Sequence, residues 1–310
     1  MSVIGIFADA PAFLALARLG QGAAASAFSP ASSAAVARIA GKGRIGSYFG
    51  RYGSWKSLGY AAGPLFGAGL MTLGGLPAVF AALAVLSVAA AWWAAGGIPA
   101  LPVLPRPRYT LADVVRQSTD RSFLIPTLVL AAATGALGVA SGFLPLLGTA
   151  AGMGPFGAMA TVTVLALAST LVQPVAGKLR DARQLGTRTG TGLGLAAAAA
   201  GLALTAFLPV PAGLYIAAAL VGLGIGTATP LAFAHLAAST PPERLGRTMG
   251  SAELGREAGD AGGPLIVGGI AAVVSIPAGL GAVAVMTLAA AAIGATALRK
   301  KDAPEPRVRD

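Results

Sequence analysis

The chain has 310 residues, of which 55% are hydrophobic and only 11% charged, with a net charge of +11 and no cysteine; its mean hydropathy is +0.76. A soluble domain carries about 25% charged residues, so a fully water-facing exterior is excluded. The missing cysteines exclude disulfides and cysteine-ligated metal sites, and the positive charge does not point to nucleic acid, because nearly all of it lies on alternate connectors between apolar runs.

Residues 19–37, 57–105, 122–177, 189–242 and 261–298 contain no Asp, Glu, Lys or Arg. A membrane helix needs about 20 apolar residues, so the first run holds one span and the longest runs hold two with a tight connector. In chain order, residues 1–8 read as the end of a helix. Complete spans follow at 11–34, 48–70, 76–97, 123–148, 155–177, 189–208, 211–235, 250–270 and 277–298. Their Ala and Gly content suits helices that pack closely with no hydrophobic drive between them.

Residues 98–122 differ. Pro99, Pro102, Pro105 and Pro107 make a stiff linker. Thr110 to Ser122 is amphipathic, with Leu111, Val114 and Val115 opposite Asp113, Arg116 and Asp120, which suits the cytoplasmic membrane surface. The expected organisation is an incomplete N-terminal bundle (1–97, a partial helix plus three spans), this linker (98–122), a six-helix bundle (123–298) and a basic tail (299–310).

The connectors at 70–76, 148–156, 209–212 and 270–277 carry no charge. The alternate ones carry Arg38, Lys42 and Arg44, then Arg106 to Arg121, then Lys178, Arg180, Arg183 and Arg188, then Arg244 and Arg247, then Arg299 to Arg309. Lys and Arg on every second connector place those connectors and the C-terminus in the cytoplasm. The expectation is a multi-pass, monomeric protein of the inner membrane.

A shift of 200 residues lands the chain on itself. Phe7 meets Phe207, Pro11 meets Pro211, Pro30 meets Pro230, Arg44 meets Arg244, and Gly63-Pro64 meets Gly263-Pro264. The identities are mostly Gly and Pro, which set backbone geometry, so the repeated thing is a structure. Residues 120–206 have no counterpart in the first copy, so the expectation is that about two and a half helices of that copy are missing ahead of Met1.

Gly50, Gly59, Gly63, Pro64 and Gly67 are spaced as in the antiporter motif of the fifth helix of the major facilitator superfamily, with Ala68 in the usual last glycine position. The motif recurs at Gly250, Gly259, Gly263 and Pro264. Arg18, Gln21 and Gly22 resemble the family's fourth-helix motif, and Gly177, Leu179, Asp181 and Arg183 its basic gating loop, whose glycine would fall at Gln184. The chain is therefore similar, over its whole length, to the proton-coupled drug-efflux branch of that family. The resemblance implies an all-α membrane protein of two pseudo-symmetric helical bundles, with the first ~2.5 helices of the first bundle missing. It also implies alternating access, no cofactor, the proton gradient as energy source, and the lipid bilayer and a small-molecule substrate as partners.

No hydrolase, metalloprotease or nucleotide-binding motif is present, and His235 is the only histidine, so no histidine triad can be assembled. Candidate coupling residues are Arg18, Gln21, His235, Glu257 and Asp260. Arg18 is either functional, as charges inside spans usually are, or snorkels to the outer interface. Asp260 is the deepest acid of its span and aligns with Tyr60. It reads either as a proton site or as part of an ion-pair cluster of Arg256 with Asp260 or Glu253 that closes a gate. His235 reads as interfacial. The apolar walls with Gln21, Ser26, Ser29, Thr134, Ser141, Thr227 and Thr229 as polar points suit hydrophobic or weakly cationic compounds. The rival expectations are a symporter or uniporter for a metabolite, and a truncated fragment without transport activity.

Overall fold

The computed structural model describes residues 11–41, 43–98, 110 and 119–298, and their regular structure is helical, without strands among the described residues. The expected helix end at 1–8, most of the linker 98–122 and the tail 299–310 lie outside the described residues. The helices are α1 (Pro11–Ala40), α2 (Ile45–Gly97), α3 (Arg121–Ala150), α4 (Pro155–Asp181), α5 (Thr187–Phe207) and α6 (Pro211–Ser239). A short 3-10 turn (Pro242–Arg244) then leads to α7 (Leu245–Val273) and α8 (Ile276–Ala297).

Glycine, proline and short polar caps set where these helices break. Inside α2, Gly74 (φ −161°, ψ 20°) and Gly75 (φ 64°, ψ −159°) leave helical geometry just before Pro77. The positive φ at Gly75 is one that glycine adopts without strain. The helix is thus two limbs, 45–73 and 76–97, broken in the uncharged connector. Pro155, Pro211 and Pro277 stand in the first turns of α4, α6 and α8, where a missing N–H costs nothing. Asp120 caps α3 by accepting from the Ser122 backbone N–H at 2.8 Å.

Nine complete spans are expected from the sequence, whereas six helical stretches are long and apolar enough to cross a membrane: Gly69–Gly97 within α2, and α3, α4, α5, α6 and α8. The first limb of α2, α1 and α7 have the length but a more polar composition. Their polar residues meet one another: Ser32 and Ser33 of α1, Tyr52 of α2, and Glu253 of α7 all lie at shared contacts. Part of the lower hydropathy thus belongs to polar residues that meet between helices.

The core is centred on α6, where Leu214, Ala217, Ala218, Val221, Ala228 and Leu231 are fully enclosed. Small residues let the backbones touch. A Cβ on Gly194 of α5 would stand 2.7 Å from the Gly224 carbonyl of α6, and one on Gly263 of α7 would stand 2.6 Å from the Gly135 carbonyl of α3. Gly259 is packed equally hard against the Ala131 backbone. The first copy of the motif behaves differently. Gly59, Gly63 and Gly67 have no neighbour within 4 Å of where a Cβ would lie, so their expected packing stripe meets no helix among the described residues. Only Gly50 of that copy is in close contact, with the Gln173–Pro174 backbone of α4.

Candidate functional site

A charged cluster lies where α1 and α2 meet α7. Glu253 is buried, with its side chain 4% exposed. Its Oε1 accepts from Ser33 Oγ at 2.9 Å and its Oε2 from Arg256 Nε at 2.6 Å. Both carboxylate oxygens are therefore engaged, one by the first half of the chain and one by the second. Arg256 also donates through Nη2 to Glu257, which is largely exposed. The Arg256 backbone carbonyl accepts from Thr134 Oγ1 of α3 at 2.6 Å. Beside the cluster, the Ser32 and Tyr52 hydroxyls are 2.6 Å apart, a link between α1 and α2.

The cluster borders a cavity of about 80 Å³, with room for a few water molecules. Its walls combine Phe49, Leu137, Leu165, Ile225 and Phe233 with Tyr52, Lys56, Ser57, Tyr60, Ser169, Gln173 and Arg256. Phe49 of α2 stacks on Phe233 of α6, with ring centroids 5.5 Å apart and planes 8° from parallel. Gln173 of α4 spans the wall, its Nε2 donating to Ser57 Oγ at 2.7 Å and to Ser169 Oγ at 2.9 Å. Lys56 and Arg256 are the charged residues of this lining.

A latch joins the α1–α2 connector to the end of α4. The backbone N–H groups of Gly46 and Ser47 open α2, and the N-cap residue Arg44 offers them no side-chain bond. Asp181, at the end of α4, accepts both: Oδ1 from Gly46 at 2.9 Å and Oδ2 from Ser47 at 2.7 Å. Charge-assisted bonds to a helix N-terminus are among the stronger kind. The helices touch here, since a Cβ on Gly46 would stand 2.5 Å from the Gly177 carbonyl. Arg180 Nη1 lies 3.6 Å from Asp181 Oδ1, and Arg180 Nη2 donates to the Ala234 carbonyl of α6 at 3.3 Å.

The residues nominated from sequence divide between these places. Gly177 and Asp181 are both in the latch. Arg183 follows it with φ 59°. Its N–H bonds the Arg180 carbonyl at 2.9 Å and the Gln184 N–H bonds the Leu179 carbonyl at 2.9 Å, the paired pattern that ends a helix with a left-handed residue. The left-handed residue is Arg183, one position before Gln184, where the motif's glycine would fall. Asp260 is half-buried against α3, where a Cβ on Gly138 would stand 2.9 Å from its Oδ1. Tyr60 and Arg256 are its electrostatic neighbours. Glu257 lines a groove of about 480 Å³ between α1 and α7, together with Ser26, Ser29 and Arg247. Arg18 is exposed and Gln21 half-buried on α1, and neither lines the cavity. His235 is half-buried on α6, next to Ala234, and also lies off the cavity wall.

Asp260 lies furthest along its helix of the three acids, while Glu253 is the one that is buried, where α1 covers its face of α7. Of the two partners expected for Arg256, the structure shows Glu253, joined by Glu257. Lys56, Tyr52 and Ser33 went unnoticed in the sequence. The signal for Lys56 was the repeat itself, which aligns it with Arg256.

A family model described as Major Facilitator Superfamily matches residues 1–208 and again residues 127–310. The chain belongs to the major facilitator superfamily. Membership of this transporter family and the six apolar helices make it a multi-pass membrane protein and a secondary transporter. No curated protein matches the sequence as a relative. This facilitator shows no group of three metal-ligating side chains among the described residues, and its family works without a cofactor.

Proposed function

We propose that the chain is a proton-coupled exporter of small hydrophobic or weakly cationic compounds, working by alternating access. It would act as a monomer in the inner membrane, with the basic connectors and C-terminus in the cytoplasm and the proton gradient as energy source. Residues 1–97 and 123–298 would be the two moving bodies, with 98–122 as their tether.

The observation that carries this reading is the Glu253 carboxylate, held at once by Arg256 of its own helix and by Ser33 of α1. Taking charges out of water is expensive, so this carboxylate depends on both partners, and separating α1 from α7 would strip it of Ser33. Asp260, beside Tyr60, is a second carboxylate on the same helix and the candidate coupling site. Glu257 faces the adjoining groove and offers a route for exchange with water.

The latch supports the same cycle. With Asp181 capping α2 and Gly46 against Gly177, the basic connectors are drawn together. Opening on that side requires those contacts to separate. The antiporter-like glycines favour export over uptake. The test is transport of ethidium in proteoliposomes under an imposed pH gradient. Accumulation driven by a proton gradient running opposite to the dye is expected; movement in the same direction as protons, or none, overturns the export reading.

A further inference from the structure

Lys56 is the charge that the fold itself leaves unexplained. It projects into a largely apolar cavity, with Nζ 5.6 Å from the Tyr52 ring centroid. Among the described residues no carboxylate lies within ion-pairing distance of it. An ammonium half withdrawn from water still needs compensation. Here that comes from the Tyr52 face and from the more distant field of Glu253 and Glu257, opposed by Arg256. The stacked Phe49–Phe233 pair and Tyr60 complete an aromatic wall. Aromatic faces backed by carboxylates form a receptor for a cation. Across the cluster, the carboxylates of Glu253, Glu257 and Asp260 balance the cations Lys56, Arg256 and Arg247.

We propose that Lys56 is a tethered stand-in for substrate: its ammonium holds the place over the Tyr52 ring that the cationic group of a substrate takes, and loading displaces it. This rests on the cavity being the transport path and narrows the substrate class to organic cations with an apolar body. The lysine head sits on a flexible four-carbon stem that can swing aside. A tethered cation keeps the neighbouring carboxylates compensated during the half-cycle without substrate. It also competes with substrate, so the observed affinity is the difference between two cations for one face.

The test is equilibrium binding of tetramethylammonium, a cationic head small enough for the space the lysine vacates, to the full chain purified in detergent. Removing the competing head with Lys56→Met should tighten binding about tenfold, within the range a desolvated cation–π contact supplies. Lys56→Gln should do the same. Tyr52→Phe, which keeps the ring, should bind about tenfold tighter than Tyr52→Leu, which does not. Unchanged or weaker binding in both Lys56 variants overturns the proposal, as does equal binding by the two Tyr52 variants or no saturable binding at all. If neither Lys56 variant folds, the Tyr52 pair decides. Transport in proteoliposomes separates this from the export reading. Tighter binding without pH-driven transport keeps Lys56 as the stand-in and rejects export; pH-driven transport without tighter binding does the reverse.

Discussion

Lys56 and Arg256 stand 200 positions apart in the sequence and line the same cavity. Tyr60 and Asp260, one helical turn further along, are likewise electrostatic neighbours. Equivalent positions of a duplicated chain meet in this way when they lie near the axis relating the copies. The chemistry across that axis is unequal, with a tyrosine facing an acid and Gly53 answering Glu253. The asymmetry leaves a carboxylate on one side only, which is the basis of the proposed coupling role.

Arg256→Met would leave Glu253 buried with Ser33 as its main partner. Breaking a buried pair from one side costs about 3–5 kcal/mol. Adding Glu253→Gln removes the stranded charge and should restore much of that loss. Thermal unfolding in detergent reads both, and a double variant no more stable than Arg256→Met contradicts the pairing.

The two copies of the glycine motif should respond oppositely to alanine. Gly259→Ala and Gly263→Ala force a methyl group into the α3 backbone and should cost about 1–3 kcal/mol. Gly59→Ala and Gly63→Ala meet open space and should be neutral or stabilising by up to about 1 kcal/mol, through helix propensity. Equal melting shifts for the two pairs would refute the asymmetric packing.

Asp181→Asn removes the charge from the cap on α2 and should weaken the latch by about 1–2 kcal/mol. The chain has no cysteine, so Ser57→Cys places a single label in the cavity wall. Alkylation of that thiol by a membrane-impermeant maleimide from the side of the basic connectors should speed up several-fold when Asp181→Asn is added. An unaltered rate would mean that the cap does not hold the cavity closed.

Arg183 sits at φ 59° at the end of α4. A left-handed non-glycine residue costs about 1 kcal/mol, so Arg183→Gly should raise the unfolding temperature. A fall would show that its side chain stabilises the loop by more than the backbone strains it.

The helices were legible because Ala and Gly runs, prolines and uncharged connectors mark them directly: the break at Gly74–Gly75 lies where the charge pattern puts a connector. Asp181 stood out in the sequence through its motif, but its partners Gly46 and Ser47 did not, since a backbone cap leaves no side-chain signature. The depth of Glu253 was not legible either. Position along a span says how far a residue lies from the helix end; which neighbour covers its face is a tertiary fact, and α1 covers Glu253. Lys56 was hidden by its place near the start of a span, where a lysine reads as interfacial until Tyr52 and the cavity are seen around it.

The most direct test of the account is proton flux coupled to substrate in proteoliposomes, compared between the native sequence and Asp260→Asn. The account predicts that adding ethidium to vesicles of the native protein moves protons in the opposite direction. Asp260→Asn should insert normally and lose that flux. Undiminished proton movement in Asp260→Asn would contradict the assignment of coupling to this carboxylate.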